Sequence, residues 1–209
     1  MDADGSTRSE RKHRAILTAG QELFLGKGFD RTTMDEVAAR AQVSKQTVYK
    51  HFADKEQLFT AIIAAEIAAA EEITRDDVEA LGASVEIERD LRRFARQHIR
   101  DVVRPETVTM RRIVIGEADR FPELARSWYE AGPARAHHLL AEQLAVLHDR
   151  KVLDVRDPMI AAQQLNWLII ASPLHEAMFG VPIVHDDESM DRVADEAVRI
   201  FLAAYGAAG

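Results

Sequence analysis

Thr33-Met34-Asp35-Glu36-Val37-Ala38-Ala39-Arg40-Ala41-Gln42-Val43-Ser44-Lys45-Gln46-Thr47-Val48-Tyr49-Lys50-His51-Phe52 contains two short helical patterns about three residues apart. Thr33 followed three residues later by Glu36 is a capping box, which satisfies amide donors that a helix start leaves open. Met34, Val37, Ala38 and Ala41 then recur at helical spacing and form one apolar face. Gln42-Val43 closes the turn and Ser44 caps the second helix. Val48 and Phe52, four residues apart, share its inward face. Lys45, Gln46, Thr47, Tyr49, Lys50 and His51 fill the remaining faces. This is the layout of a helix-turn-helix, whose second helix enters the major groove of DNA.

The residue types on that second helix suit the task. Lys45 and Lys50 can neutralise phosphates and release counterions. The hydroxyls of Thr47 and Tyr49, and the amides at the helix N-terminus, can donate to phosphate oxygens and set the register. Gln46 can pair bidentately with adenine, and Lys45 can reach guanine O6 and N7. The bland alternative is a solvated helix on an ordinary bundle, since capped short helices with basic faces are common. Downstream, Asp54 is placed to cap a further helix, with Gln57 as its partner and Lys55 in the first turn.

The block Ile16–Ile63 resembles the N-terminal domain of the tetracycline-repressor (TetR) family of bacterial regulators. The matching pieces are Ile16-Leu17-x-Ala19, Leu23-Phe24, Gly28-Phe29-Asp30-x-Thr32-Thr33-Met34, Val37-Ala38 and Ala41-x-Val43-Ser44. They continue through Thr47-Val48-Tyr49-x-His51-Phe52 and Lys55-x-x-Leu58-Phe59. The resemblance implies an all-α homodimer with a small DNA-binding domain and a larger C-terminal ligand-binding and dimerisation domain. It places Thr33, Thr47, Tyr49, His51 and Lys55 at phosphate-contacting positions and Ser44, Lys45 and Gln46 near base edges. Gly or Ala often stands at the position of Gln46, so the longer amide here implies an individual operator preference.

The chain has 209 residues, 47% apolar, and no cysteine. That is enough apolar content for a core, and it excludes disulfides, thiolate metal sites and cysteine catalysis. The net charge of −8 looks wrong for a DNA binder, but its distribution is uneven. Between Arg8 and Thr60 ten Lys and Arg stand against seven Asp and Glu, a surplus of three. A basic head on an acidic body is consistent with DNA binding, because salt screens charges beyond about 8–10 Å. Met1–Thr7 is polar and lacks the apolar stretch of a signal peptide. The apolar run Leu165–Val181 is interrupted by Asn166, Ser172, His175 and Glu176, and is shorter than the roughly 20 residues a membrane span needs. The expectation is a cytoplasmic protein with three parts: a disordered tail (1–7), a helix-turn-helix domain (8–60) and a helical effector-binding and dimerisation domain (61–209).

Across the body, Ser84 is expected to cap one helix and Pro105 to open another. Phe121-Pro122 should open a third, and Gly132-Pro133 should restart it. Asp157-Pro158 begins a helix that is apolar nearly all round, ended by Gly180-Val181-Pro182. Met190, Val193, Ala194, Ala197, Ile200, Phe201 and Ala204 form a stripe on the last helix. The excess apolar surface of these last two helices, together with the resemblance, implies that they form the dimer interface. A two-fold dimer selects a near-palindromic operator.

Met110, Phe121, Trp128, Trp167, Ile170, Met178 and Phe179 are candidates to line a pocket for a small apolar or aromatic effector, although core packing or dimer contact is the commoner role for any one of them. Arg111, Arg112 and Glu117 are possible polar gates. His137, His138 and Glu142 have the spacing of metal ligands, but such residues more often form a solvated helix face. His98 on an apolar face reads as a core histidine. His175-Glu176-Ala177-Met178-Phe179 fails the zinc-protease pattern, because Phe179 stands where the second histidine must be. No metal site, cofactor or catalytic residue is expected, and an enzyme reading has no positive support. The expected function is a ligand-responsive repressor. The alternatives are an activator, a regulator controlled by a partner protein or, from another class, a helical metal-binding or hydrolytic protein.

Overall fold

The computed structural model describes residues 7–181 and 187–207, with the backbone alone for residues 67–77. The N-terminal tail up to residue 6, and Pro182, lie outside the described residues. The described residues form ten α-helices and no strand: α1 (Arg8–Lys27), α2 (Met34–Arg40), α3 (Lys45–His51), α4 (Lys55–Gly82), α5 (Ile87–Val102), α6 (Pro105–Gly116), α7 (Pro122–Tyr129), α8 (Arg135–Asp149), α9 (Pro158–Met178) and α10 (Asp187–Tyr205). A π-helical turn, Glu130–Ala134, joins α7 to α8.

The chain divides into two compact units. The head comprises the chain up to Ala68 together with Ile113–Trp128, and the body takes Ala69–Arg112 and everything from Tyr129 onward. In the head, Thr7 caps α1 through a capping box with Glu10. Gly28 ends α1 at φ 83°, a left-handed conformation that costs glycine nothing. At Gly20 a Cβ would stand 2.9 Å from Ile62 Cδ1, so the missing side chain lets α1 and α4 approach closely. The head core is Ile16, Phe24, Phe29, Val37, Val48, Leu58, Phe59 and Ile62, all essentially buried. Phe59 sits at its centre, with ring centroids 5.4 Å from Phe24, 5.0 Å from Phe29 and 5.8 Å from Phe121. The Arg120 guanidinium lies over Phe29 and Phe121, at 5.0 and 5.2 Å from their centroids, and bonds Glu56 at 2.6 Å. Residues 113–128 are thereby fastened to the head.

In the body, Leu91 and Ile99 of α5, Leu144 of α8, Ile169 of α9 and Val198 and Phe201 of α10 are among the buried residues of one apolar core. An ion-pair ladder runs beside it between α5 and α10. Arg96 pairs with Asp195 at 2.6 Å, Arg92 with Asp195 at 3.1 Å, and Arg100 with Asp191 at 2.5 Å. Hydrogen bonding to Arg96 holds the Asp195 carboxyl below its usual range. Asp157 caps α9, accepting from the amides of Met159 and Ile160 at 3.0 Å.

Two local expectations are corrected. Ser84 does not cap α5; it is buried, and its Oγ donates to Asp90 at 2.7 Å, while Glu86 takes the cap position without a side-chain bond. Gly132-Pro133 does not restart a helix. The missing proline amide is accommodated in the wider π turn, and the chain stays helical into α8.

Candidate nucleic-acid interface

The helix-turn-helix is built from local bonds. Thr33 and Glu36 form the capping box at the start of α2, and Lys27 adds an ion pair to Glu36. Gln42 adopts φ 55°, the left-handed conformation that reverses the chain after α2, and the Val43 amide bonds back to Ala38 at 3.0 Å. Ser44 Oγ accepts from the Thr47 amide at 3.1 Å and lies 2.8 Å from Thr47 Oγ1. Val48 and Phe52 are buried, which leaves Lys45, Gln46, Tyr49 and Lys50 facing outward; Tyr49 is 45% exposed. Less than two turns of helix thus present a basic, amide-bearing and phenolic surface on a rigid support.

Hydrogen bonding to Lys27 and to Thr33 lowers the Glu36 pKa to about 2. The unfolded chain binds this proton more tightly than the folded one. The contribution to stability is therefore complete above about pH 4.5 and fades as the pH falls toward 2. Glu36→Gln is expected to flatten the acid limb of a stability-against-pH curve measured by urea unfolding. An unchanged limb would mean that the box carries none of the acid sensitivity.

The remaining sequence-derived positions are placed unevenly. Lys45 pairs with Asp35 of α2 at 2.8 Å, and both groups are exposed; such pairs are weak enough for a phosphate to displace. His51 is partly buried beside His13, which stacks on Phe52 at 5.0 Å, and burial followed by the neighbouring His13 pushes the His51 pKa down. Lys55 turns inward, where Nζ donates to the carbonyls of Phe29 and Asp30 at 2.9 and 3.2 Å and lies over the Phe29 ring. Sequence reading missed the Asp35–Lys45 link, the His13–Phe52 stack and the left-handed Gln42. Asparagine or glycine is the usual flag for that conformation, so a glutamine carried no signal.

The seven candidate effector residues are divided between the two units. Phe121 belongs to the aromatic cluster of the head, and Trp128 to the same unit. Met110 and Ile170 are buried in the body, and Met178 packs against its core. Trp167 and Phe179 face outward, 49% and 81% exposed. Arg112 donates to the Met178 carbonyl at 2.9 Å and closes the end of α9. Among the described residues no three His, Asp or Glu side chains are grouped to hold a metal, and no helix is long and apolar enough to cross a membrane.

A compact helical head carrying a capped helix-turn-helix, joined to a larger helical body, defines a class of bacterial DNA-binding regulators. The model of the tetR family of bacterial regulatory proteins matches residues 16–62, and that of the AefR-like transcriptional repressor C-terminal domain matches residues 89–207. A crystal structure of a TetR-family transcriptional regulator from Mesorhizobium loti MAFF303099 is 37% identical over 96% of this chain and 100% of that one, with a TM-score of 0.90. The flavonoid-responsive regulator FrrA is 33% identical over 96% of this chain and 100% of its own, with a TM-score of 0.76. The HTH-type transcriptional regulator YdeS of Bacillus subtilis (strain 168) is 51% identical over 51 residues, 24% of this chain. That match spans about a quarter of the relative, 26%. The chain belongs to the TetR family of transcriptional regulators.

Proposed function

We propose that the chain is a ligand-responsive repressor, acting in the cytoplasm, that binds a near-palindromic operator as a homodimer through α9 and α10. The observation that carries this reading is the outward face of α3. Gln46, Tyr49 and Lys50 stand exposed on a helix whose opposite face, Val48, is buried. Lys50 and Tyr49 serve as phosphate contacts, Lys45 and Gln46 as base readers, and Ser44, Thr47, Thr33 and His51 as positioning or phosphate contacts. Lys55, whose ammonium caps loop carbonyls, acts by holding the head together.

The dimer surface is supported by the exposed apolar side chains of α9 and α10. Ile160, Trp167 and Leu168 recur at helical spacing on α9, and Ile200 is exposed on α10. A small apolar or aromatic effector is supported by the 33% identity to a flavonoid-responsive regulator. Such a molecule releases DNA only to the extent that it binds the DNA-free state more tightly than the DNA-bound one.

Fluorescence anisotropy on the DNA upstream of the chain's own gene, at two salt concentrations and against a scrambled duplex, tests the reading. A preference of about a hundredfold or more, within the range for specific sites, is expected. Tyr49→Phe and Lys50→Ala should weaken binding to all duplexes, whereas Gln46→Ala should relax preference at one base position, by about 1–3 kcal/mol. If none of the three changes alters affinity, α3 is not the reading helix.

A further inference from the structure

Within the body lies a small cavity whose mostly apolar wall carries three polar residues. Asn166 of α9 and His137 of α8 are 9% and 8% exposed. With His98 of α5 they wall a space that is otherwise lined by apolar side chains such as Val78, Phe94 and Leu140. The His98 ring bonds Asn166 Oδ1 through Nε2 at 2.8 Å. An amide oxygen only accepts, so Nε2 carries the proton; with the ring kept neutral by burial, Nδ1 is left as an acceptor. The Asn166 amide keeps its two N–H donors.

His137 is also held neutral, by burial and then by His138. Among the described residues nothing hydrogen-bonds to its ring nitrogens. Sequence reading placed it on a solvated face. It stands three, four and seven residues before Leu140, Ala141 and Leu144, and so shares the buried face of α8. A largely buried imidazole with its donor and acceptor unused, next to a second unused acceptor and two amide donors, offers a polar guest matched partners.

The walls indicate the shape of that guest. The Phe94 ring lies nearly parallel to His98, with centroids 5.4 Å apart and planes at 10°. Phe94 also borders an open groove of about 560 Å³ beside Arg89, Arg93 and Arg96. In its present form the cavity leaves about 10 Å³ for the centre of a water molecule, room for roughly one water. Phe94 is only partly buried, and a swing into the groove would open a flat slot against His98.

We propose that this cavity receives a planar aromatic molecule bearing a hydroxyl, its ring replacing Phe94 against His98 and its hydroxyl bonding among His98, His137 and Asn166. A phenol-type hydroxyl both donates and accepts, which matches the unused acceptors and donors. A carboxylate offers no donor and must be stripped of water to enter. The inference rests on the reading of the body as an effector-binding domain, and it assigns that site to different residues from those picked out by their apolar bulk.

The test is an NMR titration of the full chain with p-cresol and its isostere p-xylene, on the wild type and on His137→Leu. The expected result is that p-cresol binds the wild type at least tenfold more tightly than p-xylene. The His137→Leu change should remove that preference by weakening p-cresol alone. Because His137 makes no hydrogen bond among the described residues, the variant is expected to fold with an unchanged or raised Tm. Independently of any variant, the ring nitrogens of His98 and His137 should shift with p-cresol and stay still with p-xylene. Equal binding of the two probes, or a preference that survives His137→Leu, overturns the polar site and leaves an effector-binding body in place. Binding of neither probe overturns the site and the aromatic-effector reading together.

Discussion

Phe59→Ala is expected to destabilise the head by about 3–5 kcal/mol, the usual cost of emptying a buried aromatic site. The side chain is fully buried and touches three other phenylalanine rings, Phe24, Phe29 and Phe121. Its edge-to-face contact with Phe24, at 81°, has the geometry that aromatic pairs favour. Phe29 and Phe121 are in turn covered by the Arg120 guanidinium, which is tied to Glu56. The rings cannot collapse into the space without breaking those contacts, so the cavity term should be near its upper range. Urea unfolding followed by circular dichroism gives the loss, and operator binding near the growth temperature should fail with it. A loss below about 1 kcal/mol would mean that the cluster closes over the gap and that its packing is not what holds residues 113–128 to the head.

The second large effect belongs to the proposed dimer face. Trp167→Arg places a charge at the centre of the exposed apolar stripe of α9, between Ile160 and Ala171. In a two-fold interface the same residue occurs twice, so two guanidinium groups would have to be desolvated together without partners. The variant is expected to run as a monomer by light scattering at micromolar concentration. It should lose about 10²–10⁴-fold in operator affinity, because the second head no longer benefits from the binding of the first. Trp167 is exposed within the chain, so the monomer should keep its helical content. A variant that stays dimeric and binds the operator normally would place the interface elsewhere.

The two predictions draw on different kinds of information. Thr33, Glu36 and Ser44 could be read as caps because each acts on an amide three residues away, and sequence spacing alone decides whether such a bond can form. Val48 and Phe52 could be read as inward because four residues is one helical turn. By contrast Phe121 looked like an effector contact, since a large apolar side chain carries no label for the core it joins. Its place against Phe29 and Phe59 depends on contacts between residues 92 and 62 positions apart in the chain. Lys55 read as a phosphate contact, yet its ammonium is held by two carbonyls of the loop after α1.

The sequence by itself determined the helical class, the helix-turn-helix and its caps, and the family, because these rest on short-range bonds and on a run of matching residues. Tertiary structure decided which apolar residues form the head, which face outward on α9 and α10, and which polar groups are walled in. His137 is the clearest case. It shares the buried face of α8 with Leu140, Ala141 and Leu144, but only the packing of α5 and α9 against that face sets it beside His98 and Asn166. Spacing can assign a residue to a face, but which distant groups it meets there depends on how the helices pack.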